Sequence, residues 1–358
     1  MERIGLVGLP NSGKTSLFNA LTGSDAAVAA HPFTTTETSV AVAPIPDARL
    51  DALAKMSASR KVVRAGVEVV DIAGLIAGSS TGEGLGNRFL AGIREVDALC
   101  LVLRAFDDAE IPGDHEPVEA LATLELELVL ADLATVDTQL DKRRKAARAD
   151  KSLAGEVAAI ERAAEALAAG TPLYRAGLPA EDGELRRQLF LLTDKPVLAV
   201  VNLAEDQVAE ADTLTKAVAE HLAGHGDVLG VSVQLEAEAA QLDESERAEL
   251  LEGLGLGEGA LPRVASAAYH LLGRRVFFTT GDKESRAWSF RTGATAPECA
   301  GVIHSDLQRG FIRAEVVHWD ELVAVGSWQG AKAQGLIRLE GKDYQVADGD
   351  VLEIRFNV

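Results

Sequence analysis

The sequence predicts an α/β fold built on a mostly parallel sheet, and three observations carry that expectation. Residues 4–7 form a short β-branched apolar run that ends in a Gly-rich turn, and an amphipathic stretch with Leu17 and Leu21 follows. Four further largely apolar runs, at 67–70 (which includes Glu68), 98–103, 197–201 and 228–231, each give way to a polar or Gly-containing turn. Several are apolar on both faces, as strands of a buried parallel sheet are. Helical stretches alternate with them, which is the α/β pattern.

The 358 residues suggest two to three domains at about 150 residues each. The 55 acidic residues outnumber the 35 basic ones, giving a formal net charge of −20. Such a field repels nucleic acid and anionic membrane, so RNA contact would need a local basic patch. Cys100 and Cys299 are too few for a disulfide framework or a four-ligand zinc site, which fits a reducing, cytoplasmic setting. The apolar runs fall well short of the roughly 20 residues of a membrane span, so no membrane partner is expected. No secretory segment precedes the first strand.

Residues 116–170 have a different texture. Leu126, Val129, Leu133, Val136 and Leu140 recur at helical spacing, and Leu153, Val157, Ile160, Ala164 and Leu167 repeat it. Two such seams around a polar break predict an antiparallel helical hairpin. Its tip carries Lys142, Arg143, Arg144, Lys145, Arg148 and Lys151, the densest basic cluster in the chain. One reading is a solvated helix surface; the other is contact with phosphate, as in RNA or the ribosome. Residues 241–273 read as a helical connector. Beyond them, short strands at 276–280, 287–291, 335–339 and 352–356, with 310–315 and the Asp348-Gly349-Asp350 turn between, predict a small α+β domain. The expected boundaries are 1–115 and 190–275 for a nucleotide-binding domain, 116–189 for the helical insertion and 276–358 for the last domain.

The chemistry is concentrated in GLPNSGKT, residues 8–15. It fits G-x-x-x-x-G-K-[ST] at every fixed position and lies between a strand and a helix. Its glycines let backbone N–H groups turn toward phosphate oxygens, with Asn11, Ser12 and Gly13 forming the cradle and Ser16 following in the helix. Lys14 would reach the β- and γ-phosphates and Thr15 would ligate Mg2+. The helix N-terminus adds positive potential.

A nucleotidase needs further parts. Asp71, after the run at 67–70, would hold Mg2+ through water, and the Gly74 N–H would sense the γ-phosphate. HPFTTT, residues 31–36, offers Thr35 as a second Mg2+ ligand beside chemically similar neighbours. For the base, Asn202-Leu203-Ala204-Glu205 stands where guanine-specific relatives carry N-K-x-D. Leu203 replaces the lysine that covers the ring, and the longer Glu205 disturbs a bidentate fit to guanine. Adenine becomes admissible. Ser232 and Val233 would line the base pocket. The position that holds a catalytic Gln in Ras-like enzymes is Leu75, so another group must orient water. Candidates are the Gly74 backbone, a partner, a histidine such as His115, or a monovalent cation. Asn11 is either a K+ ligand or a loop residue bonding locally. Glycines at 74, 78, 82, 84 and 86 would let the following segment order around a γ-phosphate.

On these residues the chain resembles the YchF family of Obg-like P-loop ATPases. The resemblance rests on GLPNSGKTSLFNALTG, DIAGLIAGSSTGEGLGNRFLAGIREVDAL, VVNLAEDQ, and two C-terminal stretches, FFTTGDKESRAWSFRTGATAPECAGVIHSDLQRGFIRAEV and LEGKDYQVADGDVLEIRFNV. It implies a G-domain-like P-loop NTPase, a coiled-coil insertion and a C-terminal TGS domain of β-grasp type. It also implies ATP hydrolysis, with GTP weaker or comparable, and association with the ribosome. A guanine-specific GTPase and a nucleotide-gated RNA-binding module are the alternatives. The segment TETS, residues 36–39, departs from the family's acidic-Pro-Asn pattern. Neither oligomeric state nor activating partner is legible.

Overall fold

A computed structural model describes residues 2–24, 38–72, 85–108, 115–254, 256–257 and 259–357. The chain runs β1 (Arg3–Val7), α1 (Lys14–Thr22), β2 (Ser39–Pro44), α2 (Ala48–Met56), β3 (Val62–Val63), β4 (Gly66–Asp71), α3 (Leu85–Arg94) and β5 (Ala98–Arg104). There follow α4 (Pro117–Ala147), α5 (Ala154–Ala168), α6 (Gly183–Gln188), β6 (Val197–Asn202), α7 (Ala211–Leu222), β7 (Gly226–Val231), α8 (Val233–Ala239), α9 (Glu244–Gly253) and α10 (Leu261–Leu271). The last part holds β8 (Arg274–Thr279), β9 (Ser285–Arg291), α11 (Ala296–Ile303), α12 (Ser305–Arg309), β10 (Phe311–His318), α13 (Trp319–Val325), α14 (Trp328–Ala333), β11 (Arg338–Glu340) and β12 (Asp350–Phe356).

The chain divides into two units, one of residues 1–43 and 68–268 and one of 44–67 and 269–358. In the first, six strands lie in the order β2-β4-β1-β5-β6-β7. The pairs β1–β4, β1–β5, β5–β6 and β6–β7 are parallel. β5 and β6 are buried at every position, which is why they read as unbroken apolar runs. Leu99, Leu101, Leu103, Val197, Ala199 and Val201 join Phe89 and Ile93 of α3 and Leu121, Leu124 and Leu128 of α4 in one core. Parallel strands put all their carboxyl ends on one edge, where ligands of such sheets bind.

The helical hairpin is present as α4 and α5. Val129, Val136 and Leu140 pack with Ile160, Ala163 and Leu167. Leu126, expected in the seam, is instead 55% exposed. The apolar period alone does not reveal that α4 also buries acids. Asp132 accepts the Leu192 N–H at 2.8 Å, and the Thr193 N–H and hydroxyl at 2.7 Å each. Glu125 accepts from Tyr174, from Arg175 at 2.7 Å and from His221 at 2.9 Å. These bonds fasten the hairpin root to the segment before β6 and to α7, so α4 turns an acid-bearing stripe inward at its root.

In the second unit six strands run β11-β10-β12-β8-β9-β3. β8–β9, β10–β11 and β10–β12 are antiparallel, whereas β12–β8 and β3–β9 are parallel. Phe277, Phe290 and Leu352 pack beneath Ala296, Cys299 and Ala300 of α11. The strand expected at 335–339 is confined to β11, and the connector is two helices, α9 and α10. Both cysteines are buried, and burial pushes each thiol up to about 12. Thiols buried and protonated in this way are unreactive, so both cysteines serve packing.

Residues 44–67 depart from the linear reading, which placed them with the phosphate loop. Their packing is with 269–358. Asp47 caps α2 through the Arg49 N–H, and Leu50 and Leu53 are fully buried. Arg49 Nη1 donates to Asp348 at 2.7 Å, and Asp348 in turn accepts the Val276 N–H at 2.9 Å. β3 extends the second sheet beside β9. The Asp348-Gly349-Asp350 turn therefore serves architecture: Asp350 also accepts from Tyr344 at 2.6 Å and from the Ala347 N–H at 2.9 Å. No helix among the described residues is long and apolar enough to cross a membrane.

Candidate nucleotide site

The phosphate loop leaves β1 and enters α1 at the carboxyl edge of the first sheet. Its curl depends on two left-handed residues, Asn11 at φ 62° and Gly13 at φ 92°. Gly8 is required sterically, since a Cβ there would stand 2.5 Å from both the Ser12 hydroxyl and the Val102 carbonyl. A Cβ on Gly13 would collide with the Asn202 amide. The loop thus needs glycine at both ends for close approach, and at Gly13 for its left-handed φ as well.

Lys14 is 7% exposed, and its ammonium donates to the Leu9 carbonyl at 2.8 Å. Burial pulls it down to about 8, against the opposing charge of Asp71. A cation held this way has a strong demand for an anionic partner. Thr15 donates to Asp71 Oδ2 at 2.7 Å, while Ser16 follows half-buried in the first turn of α1. Asp71 is 1% exposed, and burial raises it above the usual carboxylate range despite Thr15 and Lys14. Its Oδ1 is buried with no partner among the described residues. The Thr15 hydroxyl and the Asp71 carboxylate, one of whose oxygens is unpartnered, are the hard oxygen donors a small divalent cation takes. These residues fit Mg2+. Thr35, Gly74 and Leu75 lie outside the described residues.

The base side is arranged differently. Asn202 Nδ2 donates to the Ser12 carbonyl at 3.1 Å, and its Oδ1 accepts the Val233 N–H at 3.2 Å. Asn202 therefore ties the phosphate loop to the turn after β7. Leu203 is 3% exposed and belongs to the sheet core, and its N–H donates to the Val231 carbonyl at 2.9 Å. Glu205 is exposed. Ser232 is buried, and its hydroxyl has no partner among the described residues. Val233 is buried, with its N–H already donated to Asn202.

Gln207 was not foreseen as a site residue. Its Oε1 accepts the Ala204 N–H at 2.9 Å and its Nε2 donates to the Ala105 carbonyl at 3.0 Å. The only sequence signal was its place in VVNLAEDQ. Phe106, next to Ala105, lies under the Arg104 guanidinium at 4.5 Å. His115 is exposed on its loop, 3.9 Å from Asp107.

At the hairpin tip the six basic residues divide. Arg143 pairs with Glu156, and Arg144 with Glu161 at 2.7 Å. Lys142, Lys145, Arg148 and Lys151 are exposed.

A family model described as a 50S ribosome-binding GTPase matches residues 3–140. The model of the YchF-GTPase C-terminal region, described as a protein of unknown function (DUF933), matches residues 275–357. The ribosome-binding ATPase YchF of Bacillus subtilis strain 168 is 44% identical over 362 residues, spanning 99% of each chain. That of Haemophilus influenzae is 42% identical over 361 residues, again spanning 99% of each. The structure of the Schizosaccharomyces pombe YchF GTPase superposes with a TM-score of 0.87 at 33% identity, covering 99% of this chain and 97% of that one.

Proposed function

The chain belongs to the YchF family, and from that premise we propose that it binds and hydrolyses ATP and acts as a nucleotide-dependent switch on the ribosome. The observation that carries the nucleotidase reading is the buried Lys14 ammonium beside the Thr15–Asp71 pair, at the carboxyl edge of a parallel sheet. A triphosphate entering the loop takes the place of the Leu9 carbonyl on Lys14. The backbone of residues 11–15 supplies further donors, and α1 adds its positive end. Thr15 and Asp71 would hold Mg2+, Asp71 through water. When bound, that ion neutralises and orients the β- and γ-oxygens. Asn202 keeps the loop in register with the base side.

Adenine is the proposed base. The lysine stem and short carboxylate of the guanine motif are replaced by a core leucine and an exposed glutamate. GTP is the weaker substrate. A K+ at Asn11, whose left-handed backbone shapes the loop, is the further candidate cofactor, and turnover in K+ against Na+ tests it. Calorimetric titration with ATP, GTP and their diphosphates in Mg2+ tests the base assignment. Tight GTP binding without ATP binding would reverse it and favour a guanine-specific GTPase.

Lys142, Lys145 and Arg148 are the proposed ribosome or RNA contacts, because Arg143 and Arg144 already neutralise Glu156 and Glu161. Replacing the three with Ala should lower ribosome affinity and flatten its salt dependence; unchanged values would return the tip to solvated surface. A cytoplasmic location follows from that partner. Turnover that ribosomes leave unstimulated, with ribosome binding indifferent to nucleotide, would favour a binding module with incidental hydrolysis.

A further inference from the structure

The base-side loop poses a physical problem. A motif that recognises a base by side chains is here largely disarmed, because Leu203 is turned into the core and Asn202 is bonded to Ser12 and Val233. What remains at the sheet edge is main chain around residues 203–205 after β6 and around 105–106 after β5, beside the half-buried Phe106 ring, with the Phe106 carbonyl already accepting from Arg104 Nε at 2.9 Å. Main chain reads a ligand only if it is held still. The β5–β6 ladder runs out there: Ala105 N–H donates to the Asn202 carbonyl at 2.9 Å, and Leu203 N–H turns away to the Val231 carbonyl at 2.9 Å. Beyond that point the Ala105 carbonyl and the Ala204 N–H have no ladder partner. The half-buried Gln207 side chain supplies both, at 3.0 and 2.9 Å. Its own N–H donates to the Ala204 carbonyl at 3.2 Å, closing a tight turn that fixes where the side chain starts. The amide is the group for the position, since one end must accept and the other donate.

We propose that Gln207 is the positioning residue of the base pocket, its amide clamping the ends of β5 and β6 so that their main chain forms the adenine seat. This rests on the nucleotide reading above. Base discrimination then lies in a backbone geometry set from behind the pocket. Gln207 itself does not touch the base.

The test compares ATP with inorganic tripolyphosphate, which occupies the phosphate loop but lacks the base. Q207A is expected to weaken ATP binding about tenfold, the order of cost for leaving backbone groups unpaired, and to raise KM without lowering kcat. Tripolyphosphate binding should be unchanged, and the ATP-over-GTP ratio should shrink. Q207E retains an acceptor for Ala204 but faces the Ala105 carbonyl with a carboxylate, so it should fall as far as Q207A. It also serves if Q207A does not fold. Equal loss of tripolyphosphate and ATP would mean a general defect and would overturn the clamp. So would wild-type ATP affinity in either variant. If the parent protein binds tripolyphosphate but neither nucleotide, it is the nucleotide reading that fails.

Discussion

The two ends of the candidate nucleotide site are built on opposite plans. At the phosphate end, side chains do the work and are buried to do it: Lys14 is 7% exposed and Asp71 1%. At the base end, Leu203 is equally buried, at 3%, but packs into the apolar sheet core, while Glu205 is exposed. Burial near a site therefore has two meanings. For a charged group it leaves an electrostatic demand that a carbonyl or a hydroxyl partner meets only in part. For an apolar group it reflects packing in the core, and the proposed seat then falls to the backbone.

Substitutions at the two ends test this difference. K14A should have the largest effect, weakening ATP binding by about 100-fold, the scale of losing a charged hydrogen-bond partner. Calorimetry measures it, and binding as tight as the parent's would remove the phosphate end from the scheme altogether. L203K comes next. It restores the lysine of the guanine motif on paper, but the position is in the core. The expected outcome is a loss of at least about 2 kcal/mol of stability, read as a lower Tm, rather than a gain in GTP binding. T15A should abolish the advantage Mg2+ gives to ATP binding, about tenfold on the scale of one lost ligand, so that titrations with Mg2+ and with EDTA converge. E205D should do least, a shift of roughly two- to threefold toward GTP, since an exposed carboxylate contributes little. A tenfold swing from E205D would show that the side chain does read the base.

How legible these features were depended on whether chemistry or placement decided them. GLPNSGKT is legible because each fixed residue answers a local demand, as Gly8 and Gly13 show by their steric neighbours. β5 and β6 were legible because burial on both faces leaves no polar interruption, whereas β2, exposed at alternate positions, was not. The base motif was legible as a motif, but not in its side-chain directions: nothing in NLAE says that Leu203 packs against the core. Gln207 was illegible because its role exists only once β5 and β6 lie side by side, 102 residues apart in sequence at the Ala105 contact. The same holds for Asp132 and Glu125. Their acidity on a helix reads as solvent exposure until the groups that bond them are brought in. Leu126 fails in the other direction, in register with the seam but 55% exposed, because spacing gives a face and not its cover.

Residues 44–67 carry a practical consequence. They are spliced between two strands of the first sheet, yet they furnish α2 and β3 to the second unit. No single cleavage of the polypeptide can yield both bodies whole. A truncation after residue 268 strands the fully buried Leu50 and Leu53 in water and leaves Arg49 without Asp348. The complementary fragment starts life with an unpaired β9 edge and an uncovered apolar face. Dissection of this molecule by expression of its pieces calls for a circularly permuted or two-chain design in which 44–67 travels with 269–358.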